Sequence, residues 1–318
     1  MSGPGHNARI SAAMGAVVWL GFLFVRTSNS NETELINKIL LSGVLVIVPL
    51  ALSLAPIEQS EENSLLYRGA ILAQPIGALA AAISFLLYSG PPAAILSGSW
   101  LLITLVIAAF GLRRLAGRGA ELSREMFVDA GMLYLPVGGV WLVISRLGIQ
   151  PLGFGETIVL LTAMHFHFAG FAAPILAGLA GRALPDTLTR VFALAGGCIV
   201  GSIPLVAAGI TFSPVLALVG ALIISLGLIL LAVLVLGWIL RTVDSFAAQT
   251  LLVVSSLSSV CAMVLACLYA YSIVAKTVIV DIPQMAMTHG ILNSFGFALC
   301  GLLGWSIASP SRRREEVR

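Results

Sequence analysis

The sequence predicts an all-α, polytopic transmembrane bundle of about ten spans, and three observations carry that prediction. Of its 318 residues, 59% are hydrophobic and only 10% charged, with a mean hydropathy of +1.05, a balance too apolar to close a water-exposed surface. The apolar residues fall in continuous runs of about 20, the length that crosses roughly 30 Å of hydrocarbon. Such a run satisfies its own backbone only as a helix, and the alternation of a membrane barrel is absent.

Apolar runs bounded by charge, Gly or Pro cover residues 10–26, 36–56, 70–89, 92–112, 127–147, 156–180, 191–211, 214–240, 249–273 and 286–307. The first is short. It follows a weakly basic leader, and no small-x-small cleavage signal follows it at Arg26-Thr27-Ser28, so a retained span is expected. The second lies beyond the acidic Asn31-Glu32-Thr33-Glu34 segment. The third and fourth are divided at Ser89-Gly90-Pro91-Pro92, because their joined length overshoots one crossing. A basic loop from Arg113 to Glu125 precedes the fifth, and the sixth opens at Glu156. The remaining four follow in close succession, and the tail from Ser309 to Arg318 reads as a solvated charge run anchoring the last helix. No soluble domain, linker or low-complexity tract interrupts the chain, which makes residues 1–318 one integral membrane domain.

Net charge is +3 and belongs to loops and tails, so it reports on topology and gives no argument for nucleic acid. With ten spans, only Arg26, Lys38, Arg146 and Lys276 fall on one side, while the other thirteen Lys and Arg fall with the two termini. That asymmetry places both termini in the cytoplasm of a multi-pass cell-membrane protein, in a bacterium the inner or plasma membrane. All four cysteines lie within apolar runs, without a C-x-x-C pair, and read as small hydrophobes.

Three of the four histidines sit inside spans, and a polar group in hydrocarbon needs a partner. His165 and His167 occur in Thr162-Ala163-Met164-His165-Phe166-His167-Phe168-Ala169-Gly170, and His289 in Thr288-His289-Gly290-Ile291-Leu292-Asn293. On a regular helix, positions i and i+2 point about 200° apart, so the two imidazoles of the first segment cannot share one ligand. One is expected to face a cavity with His289 and Asn293 in the outer half of the bilayer. His165 is the expected member, because Thr162 lies one turn away to orient it; Thr288 is the matching partner of His289. The other is expected to bond a neighbouring helix.

Such a set can move a proton or act as general acid and base. A metal or a bis-histidine haem is conceivable through imidazole nitrogen, but no H-E-x-x-H spacing is present, and no cofactor is expected. In the fifth run, Tyr134, Pro136, Gly138, Gly139 and Trp141 mark a possible helix break lining the same cavity. Gln74-Pro75 in the third is a similar polar and breaker pair. Asp129 is expected as an interfacial charge, and Arg146 with Glu156 as a pair near the histidines.

At these residues the chain resembles the YndJ-like family of bacterial multi-pass membrane proteins. The segments Leu133-Tyr134-Leu135-Pro136-Val137-Gly138-Gly139, Thr162 to Phe171, and Thr288-His289-Gly290-x-x-Asn293-x-x-Gly296-Phe297 carry the likeness. The resemblance implies an integral membrane protein, with members commonly labelled transporters and no substrate or mechanism to carry over. Two functions stay open: a transporter or permease of a small or lipophilic molecule, or an intramembrane enzyme using histidine as general acid or base on an isoprenoid or other lipid-soluble substrate. Expected partners are membrane lipids and that substrate.

Overall fold

A computed structural model describes residues 3–28, 31–118 and 124–308. Among them there is no strand, and ten long helices build the molecule. They are α1 (Pro4–Phe22), α2 (Thr33–Leu52), α3 (Leu65–Ser84), α4 (Pro91–Arg118), α5 (Arg124–Leu147), α6 (Glu156–Arg182), α7 (Asp186–Phe212), α8 (Pro214–Thr242), α9 (Phe246–Val274) and α10 (Ile282–Ala308). The helices α2 to α10 are each long and apolar enough to cross a membrane. With nineteen residues, α1 is about 28 Å long, and His6 and Arg9 near its start lower its apolar average. About ten spans is therefore the architecture, with the division at Ser89-Gly90-Pro91-Pro92 falling between α3 and α4.

Successive helices pair as antiparallel hairpins, α3 with α4, α4 with α5, α7 with α8, α8 with α9 and α9 with α10. The centre belongs to α2 and α6, the two most enclosed helices. Apolar on all sides, they suit a position surrounded by protein. Gly5 in α1 lies beside Ser53 and Glu62, and the last turns of α10 pack on Val48–Leu52 at the end of α2. Both described termini thus share one end of the bundle, called here the terminal end; the opposite is the far end.

The helices outrun the apolar stretches at the terminal end. The expected basic loop from Arg113 is instead helical through Arg118 and again from Arg124; residues 119–123 and the tail 309–318, with Arg312, Arg313, Arg314 and Arg318, lie outside the described residues. The cause is ion pairing, taken up below.

Regular α geometry fails at the centre. α2 widens to i→i+5 turns over Gly43–Ile47, α6 over Phe166–Ala172, and α10 over Ala286–Gly290 and Leu292–Leu299. In α2 and α6 the widening stops two residues before a proline, Pro49 and Pro174. Proline removes an N–H and presses on the preceding turn, and a π-bulge is one way a helix absorbs that defect. The widened stretches of α2, α6 and α10 pack on one another. Gly43 permits the contact: a Cβ there would lie 3.2 Å from the Phe168 ring and 3.3 Å from His167 Cβ.

Candidate functional site

His165 ends the regular part of α6, nine residues from its start and so about 14 Å into the bundle from the far end. Its Nδ1 lies 2.6 Å from the Leu161 carbonyl. A carbonyl only accepts, so Nδ1 carries the proton and Nε2 keeps its lone pair. The ring is exposed. It faces His289 of α10 with ring centroids 6.4 Å apart.

His289 is anchored in the same sense. Its Nδ1 donates to the Ala262 carbonyl of α9 at 2.8 Å, and its Nε2 accepts from Asn293 Nδ2 at 3.0 Å. The structure thus brings His165, His289 and Asn293 together on α6 and α10, in the far half. Both imidazoles carry a proton at Nδ1 there. The free Nε2 of His165 is the atom left to take a proton or a hydrogen bond from a guest.

His167 is built differently. It is fully buried, accepts at Nε2 from Trp100 Nε1–H of α4 at 2.9 Å and donates from Nδ1 to the Ala163 carbonyl at 2.8 Å. Both nitrogens are used, and the indole stacks on the imidazole. This histidine ties α4 to α6 and has no atom to offer a substrate. Gly138 is the notch that seats it, since a Cβ there would lie 2.7 Å from His167 Nδ1.

Other expected site residues lie elsewhere. Tyr134 donates to the Val200 carbonyl of α7 at 3.1 Å and packs against Phe166. Thr162 and Thr288 donate back to Ile158 and Gln284 in their own helices, so neither hydroxyl orients an imidazole. Helix α5 runs unbroken through Pro136; Gly139 is a notch for α4, a Cβ there meeting Thr104 Oγ1 at 2.7 Å, and Trp141 packs against Phe154. Gln74 is buried, accepting from the Ser11 hydroxyl and donating to the Val44 carbonyl at 3.2 Å, which fastens α3 to α1 and α2. Arg146 donates to the Leu87 carbonyl at 2.9 Å and lies over the Phe85 ring, so its guanidinium turns to the end of α3 in place of the expected pairing with Glu156.

The terminal end holds a second polar centre that spacing arguments passed over. Asp129, expected as an exposed charge at the interface, is fully buried within the protein and bonds Arg114 Nε at 2.8 Å and Arg118 Nη2 at 2.5 Å. Glu125 bonds Arg114 at 2.6 Å and Arg182 at 2.7 Å, and Glu61 bonds Arg114 at 3.2 Å and Arg118 at 2.8 Å. Arg114 and Arg182 also donate to the Ala55 carbonyl, and Arg182 to Leu54, beyond the last turn of α2. Three guanidinium groups and three carboxylates balance, as burial demands. The signal was present in the sequence as two i, i+4 pairs, Arg114/Arg118 and Glu125/Asp129, close together in the chain.

A family model described as "YndJ-like protein" matches residues 38–297. The uncharacterized membrane protein YndJ of Bacillus subtilis (strain 168) is 28% identical over 295 residues, 92% of this chain and 52% of that protein. The chain therefore spans about half the length of this curated relative. No solved structure matches it. The matched region contains both polar centres.

Proposed function

The chain belongs to the YndJ-like family and is a multi-pass protein of the bacterial cell membrane, and from that premise we propose that it is a transporter or permease of a small or lipophilic molecule. One observation carries the reading: within membrane-spanning helices, His165 presents an exposed ring with an Nε2 that has no hydrogen-bond partner among the described residues. An unpartnered polar atom at that depth is costly unless a guest or water uses it. His289 and Asn293 lie beside it to share a proton or hydrogen bond. The distribution of Lys and Arg supports cytoplasmic termini, which puts this site in the outer half and the ion cluster at the cytoplasmic end. A polar site in one half, with the other end fastened by charge, suits one state of an alternating-access carrier.

The test is flux. Purified full-length protein in liposomes, given a panel of small polar and lipophilic solutes with and without an imposed pH gradient, is expected to carry at least one solute, and His165→Gln to lose the gradient-driven part. A panel without any protein-dependent flux would sink the proposal.

The two facing imidazoles also favour a second reading, an intramembrane enzyme in which His165 Nε2 removes a proton from a lipid-soluble substrate. Incubation with bacterial lipid extract followed by mass spectrometry separates the two; an unchanged lipid profile removes the enzyme.

A further inference from the structure

We propose that the groove between α1, α2 and α10 holds one chain of an anionic phospholipid, with the phosphate at Arg9. The cavity has a volume of about 460 Å³ and is almost wholly apolar. Its α1 wall is cut low by Ala12, Ala13 and Ala16, and Leu50 and Leu303 line it from α2 and α10. α1 packs on α2 at Gly15, where a Cβ would collide with the Leu45 carbonyl, and the small residues beside that seam leave a channel toward α10.

Three features name the occupant. Length is the first: the lining of α1 runs from Arg9 to Leu20, eleven residues or about 16 Å, close to half the roughly 30 Å hydrocarbon layer. That is the reach of a chain from one leaflet. The Trp19 and Phe295 rings, centroids 5.3 Å apart, lie at the inner end, where such a chain stops.

Charge is the second. Arg9 stands at the other end of the lining, exposed and with no ion pair among the described residues. It lies five residues from the start of α1, within snorkelling distance of the headgroup layer. An exposed cation at that level is complementary to a phosphate in an anionic leaflet. The third is Ser306, which lines the same groove and whose hydroxyl has no hydrogen-bond partner among the described residues. Lipid ester oxygens are acceptors at that level. The ligand class is thus a diacyl phospholipid with net negative charge, drawn from the leaflet at the terminal end. This inference stands apart from transport, and its test uses no flux.

The experiment is native mass spectrometry of the full chain released from nanodiscs of equal phosphatidylglycerol and phosphatidylcholine, the two probes used. Wild type is expected to retain one phosphatidylglycerol in preference to phosphatidylcholine. Arg9→Gln, at an exposed position, is expected to lower that preference about fivefold, the weight of one basic residue near an anionic surface. Ala16→Leu, which narrows the channel, is expected to lose both lipids while eluting as the same species in gel filtration. Retention of both lipids in equal amounts by wild type, or an Arg9→Gln preference equal to wild type, would overturn the assignment. So would a lipid-free dimer, which would give the groove to a second copy of the chain.

Discussion

His165 and His167 differ in what their Nε2 atoms meet, and that difference decides their chemistry. Trp100 donates to His167 in a dry site, whereas His165 has an open lone pair beside His289. Helical spacing alone separates the two rings and leads to the expectation that only one joins His289. It could not name Trp100, which lies 67 residues away, because a single indole in an apolar run carries no sign of its partner. Trp100→Phe keeps one aromatic ring but removes the donor and the rest of the indole, leaving a buried acceptor unmade at about 1–3 kcal/mol and a cavity besides. His165→Gln, at an exposed position, is expected to cost no more than about 0.5 kcal/mol. Thermal aggregation midpoints in mild detergent, read by gel filtration, check the order: Trp100→Phe well below His165→Gln, and His165→Gln near wild type. Equal midpoints for Trp100→Phe and wild type would refute the buried pair.

At the scale of the helix, charge pairs set where the elements end. Arg114, Arg118 and Glu125 extend α4 and α5 beyond their apolar cores because each finds a partner on the neighbouring helix. Removing one partner of a buried ion pair leaves the other uncompensated, and about 3–5 kcal/mol is the usual cost. Asp129→Asn is expected to fall in that range. Arg114→Met in the same background should recover part of it, with a coupling of about 0.5–3 kcal/mol in the double-mutant cycle. Unfolding free energies of the four proteins in one detergent measure this, and strict additivity would mean that the two groups do not act as a pair. The membrane makes the elements themselves legible, since long apolar runs have no alternative to helix. It does not make their internal register legible. Pro49 and Pro174 follow π-stretches, yet Pro75, Pro136 and Pro204 lie inside continuous α-helix. What distinguishes them is packing, as where Gly43 of α2 admits Phe168 and His167 of α6, and that contact joins residues far apart in sequence. Likewise Gly138 and Gly139 read as breakers and prove to be notches, because a glycine signals close approach without saying whether backbone or side chain makes it.

For the whole molecule, the two polar centres share one helix, the histidine site in its far half and the ion cluster at its terminal end. α6 carries His165 in its far half and Arg182 at its terminal end, where the guanidinium holds the carbonyls of Leu54 and Ala55 beyond α2. α2 and α6 are the enclosed pair, so a molecule passing from the histidines to the terminal end must part them or slip beside them. Where the path parts them, the bonds from Arg182 to α2 open once per cycle. A covalent tie at that place tests the coupling without knowledge of the resting populations. In a chain whose four native cysteines are replaced by serine or alanine, Ala55→Cys with Arg182→Cys is joined by a short, reducible bifunctional thiol reagent. Arg182 spans this gap with its own side chain, Nη2 lying 2.7 Å from the Ala55 carbonyl, so a linker of similar length fits without strain. Flux of whichever solute the wild type carries is expected to stop on cross-linking and return on reduction, while each single-cysteine protein treated alike keeps its rate. Complete cross-linking with undiminished flux would show that α2 and α6 stay joined throughout the cycle, and would move the path away from the ion cluster.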